Sequence, residues 1–525
     1  MALAALTLLV ACGGGGGGGG NAAALALAGG GVPGATTVTL NGVATYDSVP
    51  NTTGALLYAA TAPKPVRGAV VDIVSAASSA IVATTTTDAN GAYSVAVPSS
   101  TLVVVRVKAQ MLQAGSGANW DVTVRDNTQS SAIYAMETPA FSTGVAAGTR
   151  NLHAPSGWGG SSYTSGRIAA PFALLDTVYT AQAKVLSVAP STVFPVLRVF
   201  WSVNNLPADG NPTLGQIGTT FFSDSDGAPA IYVLGKEDVD TDEYDASVIA
   251  HEWGHYYQSA FSRDDSPGGS HSMTDSLDRR VAFSEGWGNA WSGIALGRGN
   301  YTDATGPRQA QGSNVDLATG ASPNPGWYRE ASIHSILWKL NSVVGFKPIH
   351  DALTGAPFKS GLAVTSIHPF TAAFDAAAPA GASTLAGLLV AQNISGAAND
   401  PFGTLESNSG GISGVANPIP LYRSAAVGGS TSACVTNQAG PGNKLGDYVY
   451  LRFATPSSRN YLITVAGPAA SDPDFVVYSG RKIAEATAVG TTETSSVGLP
   501  AGESVLVIND FNNSSAATCF TVTIQ

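Results

Sequence analysis

The chain has 525 residues, 25 Lys and Arg against 36 Asp and Glu, a net charge of −11 and only 12% charged residues. At roughly 150 residues per domain, this length accommodates about three domains, and 44% apolar residues can fill several cores. Sparse, net-negative charge without a dense Lys/Arg stripe excludes nucleic acid as a partner, and the composition excludes a collagenous, coiled-coil or wholly disordered chain.

The N-terminus reads MALAALTLLVAC, followed by eight glycines, Gly13 to Gly20. An apolar stretch running into Leu9-Val10-Ala11-Cys12 resembles the bacterial lipoprotein signal, although the segment before it is short and lacks Lys or Arg. The resemblance implies lipidation at Cys12, a membrane anchor, and an extracytoplasmic lipoprotein on the cell envelope, at the surface or in the periplasm. Residues 13–36 would then be a Gly/Ala-rich tether with a reach of about 27 Å. Beyond residue 11 no apolar run is long enough to span a bilayer.

Residues 37–112 alternate short β-rich runs with turns, at Thr37–Leu40, Val66–Val74, Ile81–Thr86, Tyr93–Val97 and Leu102–Val107. The segment Thr87-Asp88-Ala89-Asn90-Gly91-Ala92-Tyr93 is an Asx/Gly turn entering a strand. Together these resemble the carboxypeptidase regulatory-like, transthyretin-type β-sandwich.

From 113 to 425 the pattern changes. Helices are expected at Asp176–Ser187, Asp242–Ser262, Val281–Leu296 and Arg329–Val343, and strands at Val196–Trp201 and Ile231–Leu234. The run Ala230–Leu234 reads either as an edge strand able to pair with an extended peptide or as an interior strand.

Residues 426–525 are again β-rich. The runs "YLITVAG", "DPDFVVYSG" and "GLPAGESVLVIND" are similar to the bacterial pre-peptidase C-terminal domain. Cys434 and Cys519 lie here, and one disulfide is the economical reading for an exported protein; two free thiols are the alternative.

The chemistry concentrates at His251-Glu252-Trp253-Gly254-His255, an H-E-x-x-H motif. On a helix, positions i and i+4 share a face and can bring two imidazoles to one metal, with the intervening Glu beside an open coordination position. Ile249, Trp253, Tyr256 and Ala260 form an apolar stripe on the opposite face, and Thr241 or Asp242 is a candidate cap. The metzincin pattern would need Gly at 258 and His at 261, where Gln258 and Phe261 stand.

Thirty residues after His255 comes Phe283-Ser284-Glu285-Gly286-Trp287-Gly288-Asn289. This spacing and motif resemble fungalysin and, more distantly, thermolysin, the gluzincin metallopeptidases. The resemblance implies that His251, His255 and Glu285 bind Zn²⁺, that Glu252 is the catalytic base activating a zinc-bound water, and that Asn289 orients a ligand His where the family uses Asp. It also implies oxyanion donors beyond the third ligand, for which His334 and Tyr328 are the candidates. The shorter thermolysin spacing lands on Asp275, which lies in a polar segment without an apolar stripe. The glycines at 286, 288 and 293 suit a helix that approaches its neighbours closely. Acidic groups at Asp224/Asp226, Asp238/Asp240/Asp242 and Asp264/Asp265 read as solvated loops or structural Ca²⁺ sites without EF-hand spacing.

The sequence therefore predicts a multidomain protein. An α+β zincin-like metallopeptidase core with a mainly helical active-site region (113–425) is flanked by all-β sandwiches (37–112 and 426–525). The expected function is that of a monomeric zinc metalloendopeptidase acting on peptide or protein substrates. The rival readings are an inactive surface binding or adhesion lipoprotein, and a zinc amidase acting on a non-protein amide.

Overall fold

The computed structural model describes residues 36–225, 227–395, 399–413 and 418–525. The lipidation signal with Cys12, most of the tether, and Asp226 lie outside the described residues. The protein is multidomain, with several β-sheets and eight α-helices among the described residues.

The first strand, Thr37–Ser48, buries Leu40, Gly42, Ala44 and Tyr46 in strict alternation, which fixes one face on the core. It pairs antiparallel with Ala92–Pro98. A second sheet contains the strand Ala69–Ser75, buried from Ala69 to Val74 and paired with Leu102–Gln113 on one side and Ile81–Thr86 on the other. The sheets here are sandwich-like, and the second continues past the expected boundary at residue 112. That boundary falls inside the strand Leu102–Gln113, which pairs with Trp120–Asp126, itself parallel to Leu197–Trp201. The sheet then runs on through Ala230–Val233 to Phe221–Ser223. Backbone hydrogen bonds thus carry the N-terminal sandwich into the central region, and one hydrophobic core extends from Leu40 to Leu445.

Four helices carry the central region: α1 (Ala170–Leu186), α2 (Ala246–Phe261), α3 (Arg279–Leu296) and α4 (Glu330–Val344). α3 and α4 lie within two residues of the expected bounds, whereas α1 begins six residues before the expected start and α2 four residues after it. The start of α2 does not follow the expected capping. Asp242 accepts instead from the Thr220 hydroxyl, and Asp245, just before the helix, accepts from the Ala304 amide at 3.0 Å and from the Asn51 side chain. Every residue of α3 from Arg279 to Ala295 is buried, so this helix runs through the middle of the core. Trp253 of α2 stacks on Trp291 of α3 at 5.3 Å, and the Trp287 indole N–H donates to the Gly254 carbonyl at 3.0 Å. Further helices follow at Phe346–Thr354, Ile367–Ala377 and Ala382–Ala391. No single described helix is long and apolar enough to cross a membrane.

The C-terminal residues form a β-sandwich of a five-stranded and a four-stranded sheet around a separate core that includes Leu451, Tyr461, Phe475, Leu506 and Phe520. Cys434 and Cys519 face each other on paired strands and form a disulfide across 85 residues. The chain-entropy model assigns such a loop about 4–5 kcal/mol as an upper figure.

Candidate metal centre

Three side chains converge where α2 and α3 cross. His251 Nε2 lies 3.0 Å from His255 Nε2 and 3.1 Å from Glu285 Oε2, and His255 Nε2 lies 3.4 Å from the same carboxylate oxygen. The approach is possible because α3 carries glycine at the contact. A Cβ at Gly288 would sit 2.7 Å from the His251 ring, and one at Gly286 would sit 2.4 Å from Ile333 Cβ on α4.

The outer nitrogens settle the tautomers. His251 Nδ1 is 3.0 Å from Asn289 Oδ1, an atom that only accepts, so Nδ1 carries the proton. His255 Nδ1 lies 3.2 Å from the Ser284 hydroxyl, which donates onward to Asp264 at 2.7 Å and is thereby left to accept. Both Nε2 lone pairs therefore point inward, at each other and at a carboxylate. Three acceptors converge there, a group able to hold a metal ion or to share protons. Burial alone would raise the Glu285 pKa, yet the surrounding imidazoles hold it well below the carboxylate range. Burial alone would lower the His255 pKa, but Glu285 pushes it up to about 9, so without a cation the cluster gathers protons.

The donor set fits zinc. Two neutral imidazoles and one carboxylate are usual zinc ligands, and bonds of about 2.0–2.2 Å in a tetrahedron separate ligand atoms by about 3.3–3.5 Å, close to the triangle observed. Glu252 flanks this triangle without joining it. Its Oε2 accepts the Phe222 amide at 2.8 Å, and burial raises its pKa above the ordinary value, while the two histidines oppose that shift.

Two hollows open beside the cluster. One, of about 750 Å³, is lined by Phe222, Ser223, His255, Ser284 and Glu285. The other, of about 890 Å³, is lined by His251, Glu252, His271, Asn289, Tyr301 and Glu330, among others. The strand bordering the first hollow is Phe221–Ser223, the end strand of its sheet; Ala230–Val233 lies one place inward, so the interior reading of that run is the correct one.

Not every candidate from the sequence reaches this place. His334 is fully buried on α4, and its Nε2 donates to the Thr319 carbonyl at 3.1 Å, away from the cleft. Tyr328 is also buried, with its hydroxyl toward Pro325 and Asn408. His334 is a core residue because α4 turns that face toward the segment before it, and Tyr328 lies buried just before the helix. Asp275 is also outside, 3.4 Å from Lys444 Nζ. In their stead the cleft holds His271, from the loop between α2 and α3. Its Nε2 is 3.1 Å from Glu285 Oε2 and its Nδ1 is 2.8 Å from Glu330 Oε2. Burial would lower its pKa, but the two carboxylates hold it near 11. Tyr301 stands edge-on to His251 at 5.9 Å between ring centroids. The only sequence signal for His271 was rarity, as one of seven histidines. Of the acidic groups, Asp240 and Asp242 gather with Asp303 at the rim of the cleft, where burial and Asp303 push the Asp240 pKa up to about 7. Asp265 pairs with Arg263.

No protein-family model matches this chain, and no curated protein matches it. Among solved structures, the pre-peptidase C-terminal domain of a collagenase from Bacillus anthracis is 11% identical, covering 20% of this chain and 94% of that one, with a TM-score of 0.17. PliG of Aeromonas hydrophila, a periplasmic inhibitor of g-type lysozyme, is also 11% identical, covering 20% of this chain and 96% of its own, with a TM-score of 0.14.

Proposed function

We propose that the protein is a zinc-dependent metalloendopeptidase, with His251, His255 and Glu285 as ligands and Glu252 as general base. The observation that carries this reading is the convergence of two Nε2 atoms and a carboxylate oxygen at 3.0–3.4 Å, with a second carboxylate, Glu252, held alongside. Zinc bound there would supply Lewis-acid polarisation of a water and of a scissile carbonyl. The chain's own residues do the rest. Glu252, steadied by the Phe222 amide, takes the proton of the attacking water and passes it to the leaving amine. The short end strand Phe221–Ser223 borders the cleft and offers a backbone edge to an extended peptide. Tyr301, which lines the cleft, is the donor available to a developing oxyanion in place of His334 and Tyr328, and His271, held by Glu285 and Glu330, adds positive charge beside it.

The test is metal analysis of the purified protein alongside hydrolysis of a quenched peptide, with and without a chelator. Stoichiometric zinc and chelator-sensitive cleavage are expected; metal-free protein, or cleavage indifferent to chelation, would remove the reading. Lipidation at Cys12 and an extracytoplasmic, membrane-tethered location belong to the same proposal. The full-length protein should partition with membranes and release only with detergent, and Cys12→Ser should abolish that partition.

A further inference from the structure

The segment between α2 and α3, residues 262–278, contains neither helix nor strand, yet it carries His271 to the metal centre. Each ring nitrogen of His271 faces a carboxylate oxygen, Nδ1 that of Glu330 at 2.8 Å and Nε2 that of Glu285 at 3.1 Å, so both nitrogens donate. The Glu285 atom is Oε2, the same one that His251 and His255 approach. Met273 of this loop also reaches Asn289, with its sulfur 4.0 Å from Nδ2. Side chains that support a site must hold it to within about 0.5 Å, and a loop does this less well than a helix or strand. The loop therefore needs an outside support.

The C-terminal sandwich supplies it, from the turn between its strands Ser430–Val435 and Tyr448–Thr455. Before His271, Asn443 Nδ2 donates to the Gly268 carbonyl at 2.8 Å and Lys444 Nζ to the Ser270 carbonyl at 2.7 Å. After it, the Leu445 amide donates to the Ser276 carbonyl at 2.9 Å, and the Asp278 amide to the Asn443 carbonyl at 2.9 Å. Three consecutive residues of the sandwich thus bracket His271 on both sides. Asn443 is 6% exposed, and a Cβ at Gly269, where φ is +96°, would lie 3.0 Å from its Nδ2, so glycine admits the close approach. Asn443 Oδ1 in turn accepts from Lys444 Nζ at 2.7 Å, which ties the two side chains together. We propose that Asn443 and Lys444 are positioning residues for the metal centre: they hold the loop so that His271 fixes the carboxylate of Glu285. The sandwich is then a part of the site and not an appended module. The proposal rests on the metal reading of the cleft.

The experiment uses the full chain and measures zinc affinity against a chromophoric chelator, with the visible spectrum of the cobalt-loaded protein alongside. His271→Ala should weaken zinc by about 10–100-fold and alter the cobalt spectrum, because the Glu285 carboxylate is free to turn. Asn443→Ala should shift both in the same direction, with a loss of up to about tenfold. Asp275→Ala, which leaves the bonds to the Gly268 and Ser270 carbonyls in place, should match the wild type. The double variant His271→Ala/Asn443→Ala should bind no more weakly than His271→Ala alone, since Asn443 acts through His271. If Asn443→Ala fails to fold, Lys444→Met takes its place in this cycle. Wild-type affinity in His271→Ala or in Asn443→Ala, or losses that add in the double variant, would overturn the proposal alone. A wild type that takes up neither zinc nor cobalt would remove the metal reading and the proposal with it.

Discussion

His251 Nδ1 and Asn289 Oδ1 face each other at 3.0 Å across the α2–α3 contact, and this pair decides which nitrogen of His251 looks into the cleft. Because the amide oxygen can only accept, Nε2 is left with its lone pair. A carboxylate here would do the same and add negative charge. Asn289→Asp is therefore expected to tighten zinc binding by about tenfold, and Asn289→Ala to weaken it by about 10–100-fold. Competition against a chromophoric chelator measures both.

Glu252 is a neighbour of the ligand triangle and no part of it. Glu252→Gln keeps an oxygen to accept the Phe222 amide, so the local geometry should survive and zinc should remain bound. Hydrolysis should fall by at least ~10², because the proton acceptor is gone. Near-native turnover in this variant, with zinc bound, would rule out Glu252 as base.

Glu285 and Asp275 were the two spacings open for the third ligand, and only Glu285 reaches the imidazoles. Glu285→Ala should lower zinc occupancy sharply, whereas Asp275→Ala should release Lys444 and leave occupancy nearly unchanged. Elemental analysis after gel filtration tells them apart, and a reversed outcome would contradict the geometry described here.

Gly288 and Gly293 lie on the same helix but meet different neighbours. A Cβ at Gly288 would press on the His251 ring, while one at Gly293 would meet Leu317 at 2.4 Å, outside the cleft. Gly288→Ala is expected to cost metal affinity by turning His251 out of the triangle. Gly293→Ala is expected to cost about 1–3 kcal/mol of stability through overpacking and to spare the metal. Denaturant unfolding and zinc titration of both variants separate the effects.

His334 predicts a pH dependence instead of a catalytic defect. Burial lowers its pKa from 6.5 to about 4, so the folded state prefers the neutral ring. Its contribution to stability is fully present above pH 6.5 and is lost as pH falls toward 4, up to about 3 kcal/mol over that window. His334→Gln should flatten this part of the stability profile relative to wild type and keep hydrolysis within about tenfold. A loss of ~10² or more in a folded variant would return His334 to the catalytic machinery.

The sequence by itself determined the two helices that carry His251, His255 and Glu285. The apolar periodicity of 242–262 and 281–296 carried their helices, because a buried face repeats every 3.6 residues whatever it packs against. The i, i+4 spacing of His251 and His255 placed both imidazoles on one face, and the β-rich run 37–40 marked the start of a strand that extends to Ser48. The α3 glycines announced a close approach without saying to what. Tertiary structure alone decided the rest, since these features rest on residues far apart in the chain. The strand Leu102–Gln113 pairs antiparallel with Trp120–Asp126, so the N-terminal strands join the central sheet at the point where composition suggested a boundary. His271 reaches Glu285 and Glu330 from a loop that has no periodicity to read. His334, the fifth residue of α4, is turned into the core, because the face a helix presents to a cleft is set by the packing of its neighbours and not by its own residue order.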